Sequence, residues 1–190
     1  KERVNDSSKG KKFKSYSFKG KSKFFDSLLN EVVQSQMISD VPLGSFLSGG
    51  IDSSLITSLM QNNSNKGVKT FSIGFEENNF NESIFAEQVA NHLGTDHTSF
   101  IVKEEDAIDT IKDLPNIYDE PFADSSQIPT LLLCRLAKKE VTVALTGDGG
   151  DEIFGGYNRY LYNFKFLLNK NPLSSIIRKT IGISSLGLHS

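Results

Sequence analysis

The chain of 190 residues contains one cysteine, Cys134, and three histidines. A lone cysteine excludes a disulfide within the chain, and cysteine and histidine nowhere cluster at the spacing of a metal site. Runs of 18 apolar residues and the pattern of a signal peptide are also absent, which argues against a membrane partner and against secretion. We therefore expect a cytoplasmic protein in which Cys134, at helical spacing from Leu131 and Ala137, lies in the core.

The first segment of the chain is strongly basic. Residues 1–23 carry a balance of +7, which leaves −9 for the remaining 167 residues. Only Phe13, Tyr16 and Phe18 lie among the lysines of this segment, too few aromatic side chains for an ordered nucleic-acid surface. We interpret the segment as a solvated basic linker and expect no nucleic-acid partner.

Two kinds of apolar segment alternate along the rest of the chain. Short apolar runs bounded by turns predict strands, and apolar residues at every third or fourth position predict helices. The predicted strands are 44–48, 68–75, 97–102 and 141–146. The first predicted helix begins near residue 24, the second follows the glycines after the first strand, and further helices are predicted at 82–94, 104–112 and 127–139. Such alternation predicts an α/β fold with a doubly wound parallel sheet.

The stretch FLSGGIDSSLITSLM, residues 46–60, joins the first predicted strand to the next helix. A doubly wound sheet binds ligands outside the carboxyl ends of its strands, where this stretch lies. Gly49 and Gly50 allow close backbone approach, and N–H groups at a helix start attract anions. Nearby hydroxyls belong to Ser48, Ser53 and Ser54. The stretch therefore predicts a phosphate site, although it has neither the spacing of a Walker loop nor that of GxGxxG.

Acidic residues accompany both glycine-rich turns. Asp52 stands where a phosphate site would favour a basic residue, and TGDGGDEIFGGY at 146–157 adds Asp148, Asp151 and Glu152 at the same sheet edge. Carboxylates beside phosphates are favoured when they bind Mg²⁺, which takes one or two carboxylates together with phosphate oxygens. We therefore predict a magnesium ion, phosphates and a second substrate at this edge.

Three sequence motifs resemble those of one enzyme family. LSGGIDSS resembles the pyrophosphatase loop of N-type ATP pyrophosphatases. TGDGGDEIFGGY with DEPFADSSQIPT resembles the synthetase domain of glutamine-hydrolysing asparagine synthetases, and the resemblance covers roughly residues 24–162. It implies an adenine nucleotide alpha-hydrolase-like fold of the HUP type with five parallel strands. It also implies a ligase that adenylates the side-chain carboxylate of aspartate with ATP and releases pyrophosphate, after which ammonia from glutamine displaces AMP to give asparagine.

The resemblance assigns roles position by position. Contacts with ATP are implied for Phe46, Ser48, Gly49, Gly50, Asp52, Ser53, Ser54, Ile73, Thr146 and Gly147. Mg²⁺ would be held by Asp52 and Asp151, and the catalytic set would comprise Asp52, Asp148 and Asp151. Two positions depart from the family, because Phe46 replaces a usual aliphatic residue and Asp148 stands where many members have a glutamate that promotes attack on the intermediate.

The resemblance also implies a division of the chain. Residues 1–23 would be the linker from a missing glutaminase domain, 24–162 the N-terminal half of the synthetase domain, and 163–190 a helical tail leading to a missing C-terminal part. The N-terminal catalytic cysteine of a glutaminase is absent, and no lysine of the tail matches the family's downstream lysine. We therefore expect a fragment that does not form asparagine from glutamine by itself.

Other interpretations stay open at this point. LSGGIDSS also fits a strand-to-helix turn capped by Asp52 or Ser53, and GDGGDE fits an acidic surface turn or a calcium loop. Asp119 and Glu120 fit either a substrate contact or a solvated turn. The function also fits a related amidotransferase or a beta-lactam-synthetase-like ligase acting on another carboxylate, or a nucleotide-binding module without turnover.

Overall fold

The computed structural model of the chain describes residues 15–76, 81–120, 123–158 and 160. The predicted tail at 163–190 and most of the basic segment lie outside these residues. The chain forms two compact units, Lys1–Gly147 and Asp148–Ser190. Within the described parts, no helix combines the length and the apolar composition needed to cross a bilayer.

The first unit alternates helices and strands, as the apolar pattern predicts. Its elements are α1 (Phe18–Gln36), β1 (Leu43–Phe46), α2 (Ile51–Asn62), β2 (Lys69–Phe75), α3 (Ser83–Leu93), β3 (Asp96–Val102), α4 (Glu104–Ile117), α5 (Gln127–Ala137) and β4 (Val143–Leu145). The second unit contributes the short helix α6 (Gly150–Phe154) to the described residues.

The strands form one parallel sheet in the order β3-β2-β1-β4. The described residues contain four strands, so the expectation of five is corrected. All four are segments that the apolar pattern predicted, whereas the count of five came from the family resemblance alone. Since β1 pairs with β2 on one side and β4 on the other, strand order reverses beside its carboxyl end. This is where a doubly wound sheet binds its ligands.

Helices cover both faces of the sheet. Successive side chains of a strand point to opposite faces. The hydroxyl oxygen of Ser45 in β1 lies 2.9 Å from that of Thr57 in α2. The next residue, Phe46, packs against the cluster that contains Phe71 and Ala137 of α5. The helices α2 and α5 therefore lie on opposite faces, and the predicted doubly wound architecture is confirmed.

Two helix boundaries differ from those predicted. Helix α1 begins at Phe18 rather than near residue 24, because the Ser17 side chain accepts a hydrogen bond of 3.2 Å from the Gly20 N–H and caps the helix. The predicted end of the basic linker therefore falls inside this helix. Helix α4 runs to Ile117 rather than to 112 and includes Pro115.

Cys134 is exposed, so the prediction that it belongs to the core is wrong. Helix α5 instead turns Leu133 and Ala137, one helical turn apart, towards Phe71 and Val141. Cys134 lies beside this stripe, because neighbouring positions on a helix point in directions about 100° apart. Helical spacing from Leu131 and Ala137 therefore did not identify the buried side of α5.

A polar row crosses the sheet on the face that carries α2 and α3. His97 of β3 lies between two buried hydroxyls of β2, with Nδ1 2.9 Å from Thr70 Oγ1 and Nε2 3.2 Å from Ser72 Oγ. Burial lowers the pKa of His97, although the charge of Glu87 and a hydrogen bond with the Thr70 backbone oppose this shift. The neutral ring is therefore the form that this part of the core favours.

This lowered pKa predicts a dependence of stability on pH. Below the unfolded-state pKa of about 6.5, the unfolded chain takes up a proton that the folded chain resists, so the free energy of unfolding should fall as the pH decreases. The loss should be smaller in His97→Asn, which has no ring to protonate. Urea unfolding of both proteins at pH 8 and pH 5 measures the difference. Equal losses in the two proteins would contradict the assignment.

Candidate functional site

The loop between β1 and α2 ends in a helix start without a side-chain cap. Gly50 is the N-cap residue of α2, has extended backbone (φ −69°, ψ 163°) and makes no side-chain cap hydrogen bond. The first N–H groups of a helix have no partner within the helix and carry the positive end of its dipole. This end of α2 is therefore suited to an anion. The alternative interpretation, a turn capped by Asp52 or Ser53, is therefore not supported, because neither side chain caps the helix.

Two serines order the loop from within. Ser53 Oγ accepts a hydrogen bond of 3.2 Å from the Ser48 N–H and lies 3.0 Å from Ser48 Oγ. The Gly50 N–H donates to Ser48 Oγ at 3.2 Å, which closes the turn. These bonds order the loop without a ligand. Ser48 and Ser53 therefore stabilise the loop conformation in addition to lying at the predicted phosphate site.

Ser54 differs from the other two serines. Its Oγ is buried and has no hydrogen-bond partner among the described residues. Buried hydroxyls in native proteins are nearly always paired, and an exception calls for an explanation. An oxygen-rich ligand at the start of α2 would provide the missing acceptor once the Ser54 side chain rotates its hydroxyl towards the ligand. This unpaired hydroxyl is the feature of the loop that most directly indicates a ligand.

Two glycines let neighbouring segments approach the loop closely. Gly49 has a positive φ of 79°, and a Cβ there would lie 2.7 Å from Phe85 Cβ. A Cβ on Gly147, two residues after β4, would lie 2.6 Å from the Ser53 nitrogen and 2.9 Å from the Asp52 carbonyl carbon. The loop is therefore fixed between α3 and the end of β4 by contacts that only glycine permits.

The remaining predicted contacts of the first unit lie on the neighbouring strands. Ile73 is half-buried in β2, level with Phe100 of β3. Thr146 is half-buried directly after β4. The Phe46 side chain lines a groove of about 420 Å³ beside α5 and β4, on the sheet face opposite α2. Only the Phe46 backbone can therefore take part in the predicted site, and the larger ring serves packing.

The second unit contains the other two predicted aspartates. Asp148 is exposed and precedes Gly149, whose φ is 86°. Asp151 is half-buried in α6, and its carboxylate occupies the space that a Cβ on Gly156 would need. The Tyr157 hydroxyl donates a hydrogen bond of 2.8 Å to Glu152 Oε1. In this motif, the absence of a side chain at Gly156 leaves room for the Asp151 carboxylate.

The acidic residues of the DEPFADSSQIPT motif differ in their surroundings. Asp119 and Glu120 are exposed. Asp124 Oδ1 accepts hydrogen bonds of 2.8 Å from both the N–H and the hydroxyl of Ser126, just before α5. Both bonds lower the pKa of Asp124, and the bond from the backbone N–H has the larger effect. This carboxylate therefore orders the start of α5.

The described residues contain no group of three or more His, Cys, Asp and Glu side chains that could hold a metal. Asp52, half-buried in the first turn of α2, is the carboxylate nearest the uncapped helix start in sequence. Mg²⁺ in nucleotide sites is usually bound by one or two carboxylates and by phosphate oxygens. A single carboxylate beside an anion site therefore fits a metal that arrives with the nucleotide.

Sequence reasoning missed the support that α3 gives to the loop. The Phe85 side chain is 60% exposed, so it does not belong to the core that an apolar pattern predicts. Its Cβ and backbone nevertheless contact Gly49. The pairing of SGG with the start of a helix more than 30 residues later has no local signature. Only the fold brings these segments together.

The chain matches one family model and several curated proteins in sequence. The family described as Asparagine synthase matches residues 25–182. Asparagine synthetase [glutamine-hydrolyzing] 1 of Bacillus subtilis is 44% identical over 142 residues, covering 71% of this chain and 22% of that protein. Putative asparagine synthetase [glutamine-hydrolyzing] 2 of Methanocaldococcus jannaschii is 43% identical over 139 residues, covering 73% and 27%. The chain thus spans about a quarter of the length of these relatives.

Solved structures give more distant matches. An NH3-dependent NAD synthetase from Campylobacter jejuni has a TM-score of 0.47 and 17% identity, with 72% of this chain and 60% of that chain covered. NMN synthetase from Francisella tularensis has a TM-score of 0.48 and 18% identity, with 71% and 58% covered.

The contact at Gly147 predicts the effect of one added methyl group. Gly147→Ala should lower the free energy of unfolding by roughly 1–3 kcal/mol, because the methyl group would meet backbone atoms that no side-chain rotation can move. Urea unfolding measures the loss. Gly50→Ala is the matched control, since the nearest atom to its Cβ would be Ser48 Oγ at 3.2 Å. A loss for Gly147→Ala no larger than that of the control would refute the contact.

Proposed function

Because the chain belongs to the asparagine synthase family, we propose that it carries the ATP-binding part of an ATP-dependent carbon-nitrogen ligase that converts aspartate to asparagine. The observation that carries the proposal is the uncapped start of α2 with the buried, unpaired Ser54 hydroxyl. ATP would place its pyrophosphate end there. The serine-ordered loop supports this proposal because an anion site formed in advance costs little ordering on binding.

The proposed reaction has two steps. A side-chain carboxylate oxygen of aspartate attacks the α-phosphorus of ATP, the bond to the bridging oxygen breaks, and pyrophosphate leaves. The nitrogen of ammonia then attacks the acyl carbon of the adenylate, and AMP leaves as the amide forms and a proton is released. Ammonia would come from glutamine through a glutaminase domain, in keeping with the names of the relatives.

Each residue of the loop has a proposed task in the first step. The N–H groups at the start of α2 and the Ser54 hydroxyl would bind the departing pyrophosphate, and Ser48 and Ser53 would keep the loop in place. Negative charge accumulates on the leaving group, and dipoles fixed in advance stabilise such charge. Gly49 and Gly147 would hold the loop from its two sides.

The nucleoside end of ATP would lie along the neighbouring strands. The Ile73 backbone in β2 would face adenine, and the backbone of Phe46, Thr146 and Gly147 would contribute further contacts. These positions follow the family resemblance, and their place at the ends of β1, β2 and β4 supports them.

The family resemblance implies Asp52 and Asp151 as the ligands of magnesium. When bound, Mg²⁺ would neutralise phosphate charge as pyrophosphate departs. Without the metal, the two carboxylates would repel the negatively charged phosphates. A divalent cation should therefore be required for tight pyrophosphate binding. Asp148 would instead assist the attack of ammonia in the second step, although its side chain is one methylene shorter than the glutamate of many relatives.

The identity of the acceptor separates this proposal from its nearest alternative. A related ligase would use the same nucleotide site on another carboxylate. Both named relatives reported above are asparagine synthetases, which favours aspartate. The full-length protein should therefore form asparagine when supplied with ATP, Mg²⁺, aspartate and ammonia. No pyrophosphate release with aspartate, together with release when another carboxylate replaces it, would favour the alternative.

The two aspartates of the second glycine-rich motif should affect different steps. Asp151→Asn should lower pyrophosphate release by about two orders of magnitude, because it removes charge needed in the first step. Asp148→Asn should suppress the amide product while pyrophosphate release persists, because an interaction made only in the second step affects only that step. Pyrophosphate and asparagine are measured in parallel in the full-length protein.

Asp109→Asn serves as the control, since Asp109 is exposed on α4 and pairs with Lys112. It should leave both products unchanged, and thermal melts establish that each variant is folded. Equal loss of pyrophosphate release in the Asp148 and Asp151 variants would contradict the proposed division of roles.

A further inference from the structure

The first turn of α3 touches the carboxyl ends of both β1 and β2. A Cβ on Gly49, after β1, would lie 2.7 Å from Phe85 Cβ in this turn. A Cβ on Gly74, near the end of β2, would lie 2.5 Å from Asn81 Oδ1 and 2.6 Å from Ser83 Oγ. One helix start thus contacts the proposed pyrophosphate loop and the strand that carries the proposed adenine position.

Asn81 holds this helix start in place. Its Oδ1 accepts hydrogen bonds from the Ser83 N–H at 3.1 Å and from the Ser83 hydroxyl at 2.5 Å. Ser83 is 6% exposed, so both donors would otherwise be buried without an acceptor. Glu82 occupies the N-cap position but makes no side-chain cap bond. Asn81 therefore does what the N-cap residue leaves undone.

The rest of α3 is anchored independently of Asn81. Ala86 and Ala90 are 0% and 1% exposed and pack against Leu47, the residue between β1 and Ser48. Removing the Asn81 side chain should therefore leave the helix docked, and the loss should be confined to its first turn. That turn is the part that meets Gly49.

We propose that Asn81 is a positioning residue for the nucleotide, which fixes the first turn of α3 against Gly49 and Gly74 and thereby fixes the pyrophosphate loop. This inference rests on the proposed function of the loop. Without the Asn81 carbonyl oxygen, the first turn loosens and Gly49 loses its support. The loop keeps its internal bonds from Ser48 and Ser53, but the nucleotide must then fix its position against α3. The free energy of that ordering is then subtracted from binding.

The test compares four variants of the full-length protein. Asn81→Ala removes the acceptor, and Asn81→Asp keeps an oxygen that can accept both bonds from Ser83. Gly74→Ala adds a methyl group against Asn81 at a position without positive φ, so it disturbs the same contact from the other side. Asn91→Ala is the matched control, because Asn91 lies on the same helix and is exposed.

Calorimetry with magnesium pyrophosphate gives the dissociation constant, and steady-state kinetics give KM for ATP and kcat. Loss of one buried hydrogen-bond acceptor predicts about tenfold weaker binding for Asn81→Ala and Gly74→Ala. KM for ATP should rise by a similar factor with kcat nearly unchanged, because a loosened loop weakens ground state and transition state alike. Asn81→Asp and Asn91→Ala should bind as the wild type does.

The outcomes separate this inference from the proposed function. If the wild-type protein does not bind magnesium pyrophosphate, the proposed function fails and this inference fails with it. If the wild type binds and Asn81→Ala melts at a lower temperature but binds equally well when folded, Asn81 has a structural role only and the inference is overturned. Failure of Asn81→Asp to restore affinity would also overturn it.

Discussion

The constraint on which the site depends is the close approach of backbone to the loop after β1. Gly49 meets α3 and Gly147 meets the first turn of α2, each at a distance that leaves no room for a side chain. These contacts hold the loop by its backbone, while the first N–H groups of α2 have no capping side chain. The helix start can then remain open to an anion without the loop becoming disordered.

The two faces of the sheet meet this constraint in different ways. On one face, Ser45 bonds to Thr57 and His97 bonds to Thr70, which ties strands to each other and to α2 by directional contacts. On the other face, aromatic packing beside α5 involves Phe46, Phe71 and Phe100. The hydrogen bonds of the first face lie under the helices that carry the loop and add directional contacts to the apolar packing of Leu47 against α3 on the same face.

The strands and the loop were predictable because their signals are local. Apolar runs bounded by turns identified all four strands of the described residues. SGGIDSS predicted an anion site by its own composition, and the structure shows the uncapped helix start that such a site requires. The support from Asn81 was not predictable, because it depends on Gly74 and Gly49 meeting α3 across the fold. Likewise, helical spacing from Leu131 and Ala137 predicted that Cys134 lies in the core. The side of α5 that is buried is instead decided by the packing of this helix against Phe71.

The Ser54 hydroxyl provides the most direct test of the account, because it is buried and unpaired without a ligand. Replacing an unsatisfied hydroxyl by hydrogen should leave the free energy of unfolding unchanged or raise it. Ser54→Ala should therefore be at least as stable as the wild type while binding magnesium pyrophosphate about tenfold more weakly. Calorimetry and urea unfolding of the same two proteins decide the matter. Unchanged affinity, whether or not stability falls, would contradict the claim that this helix start binds the phosphates of ATP.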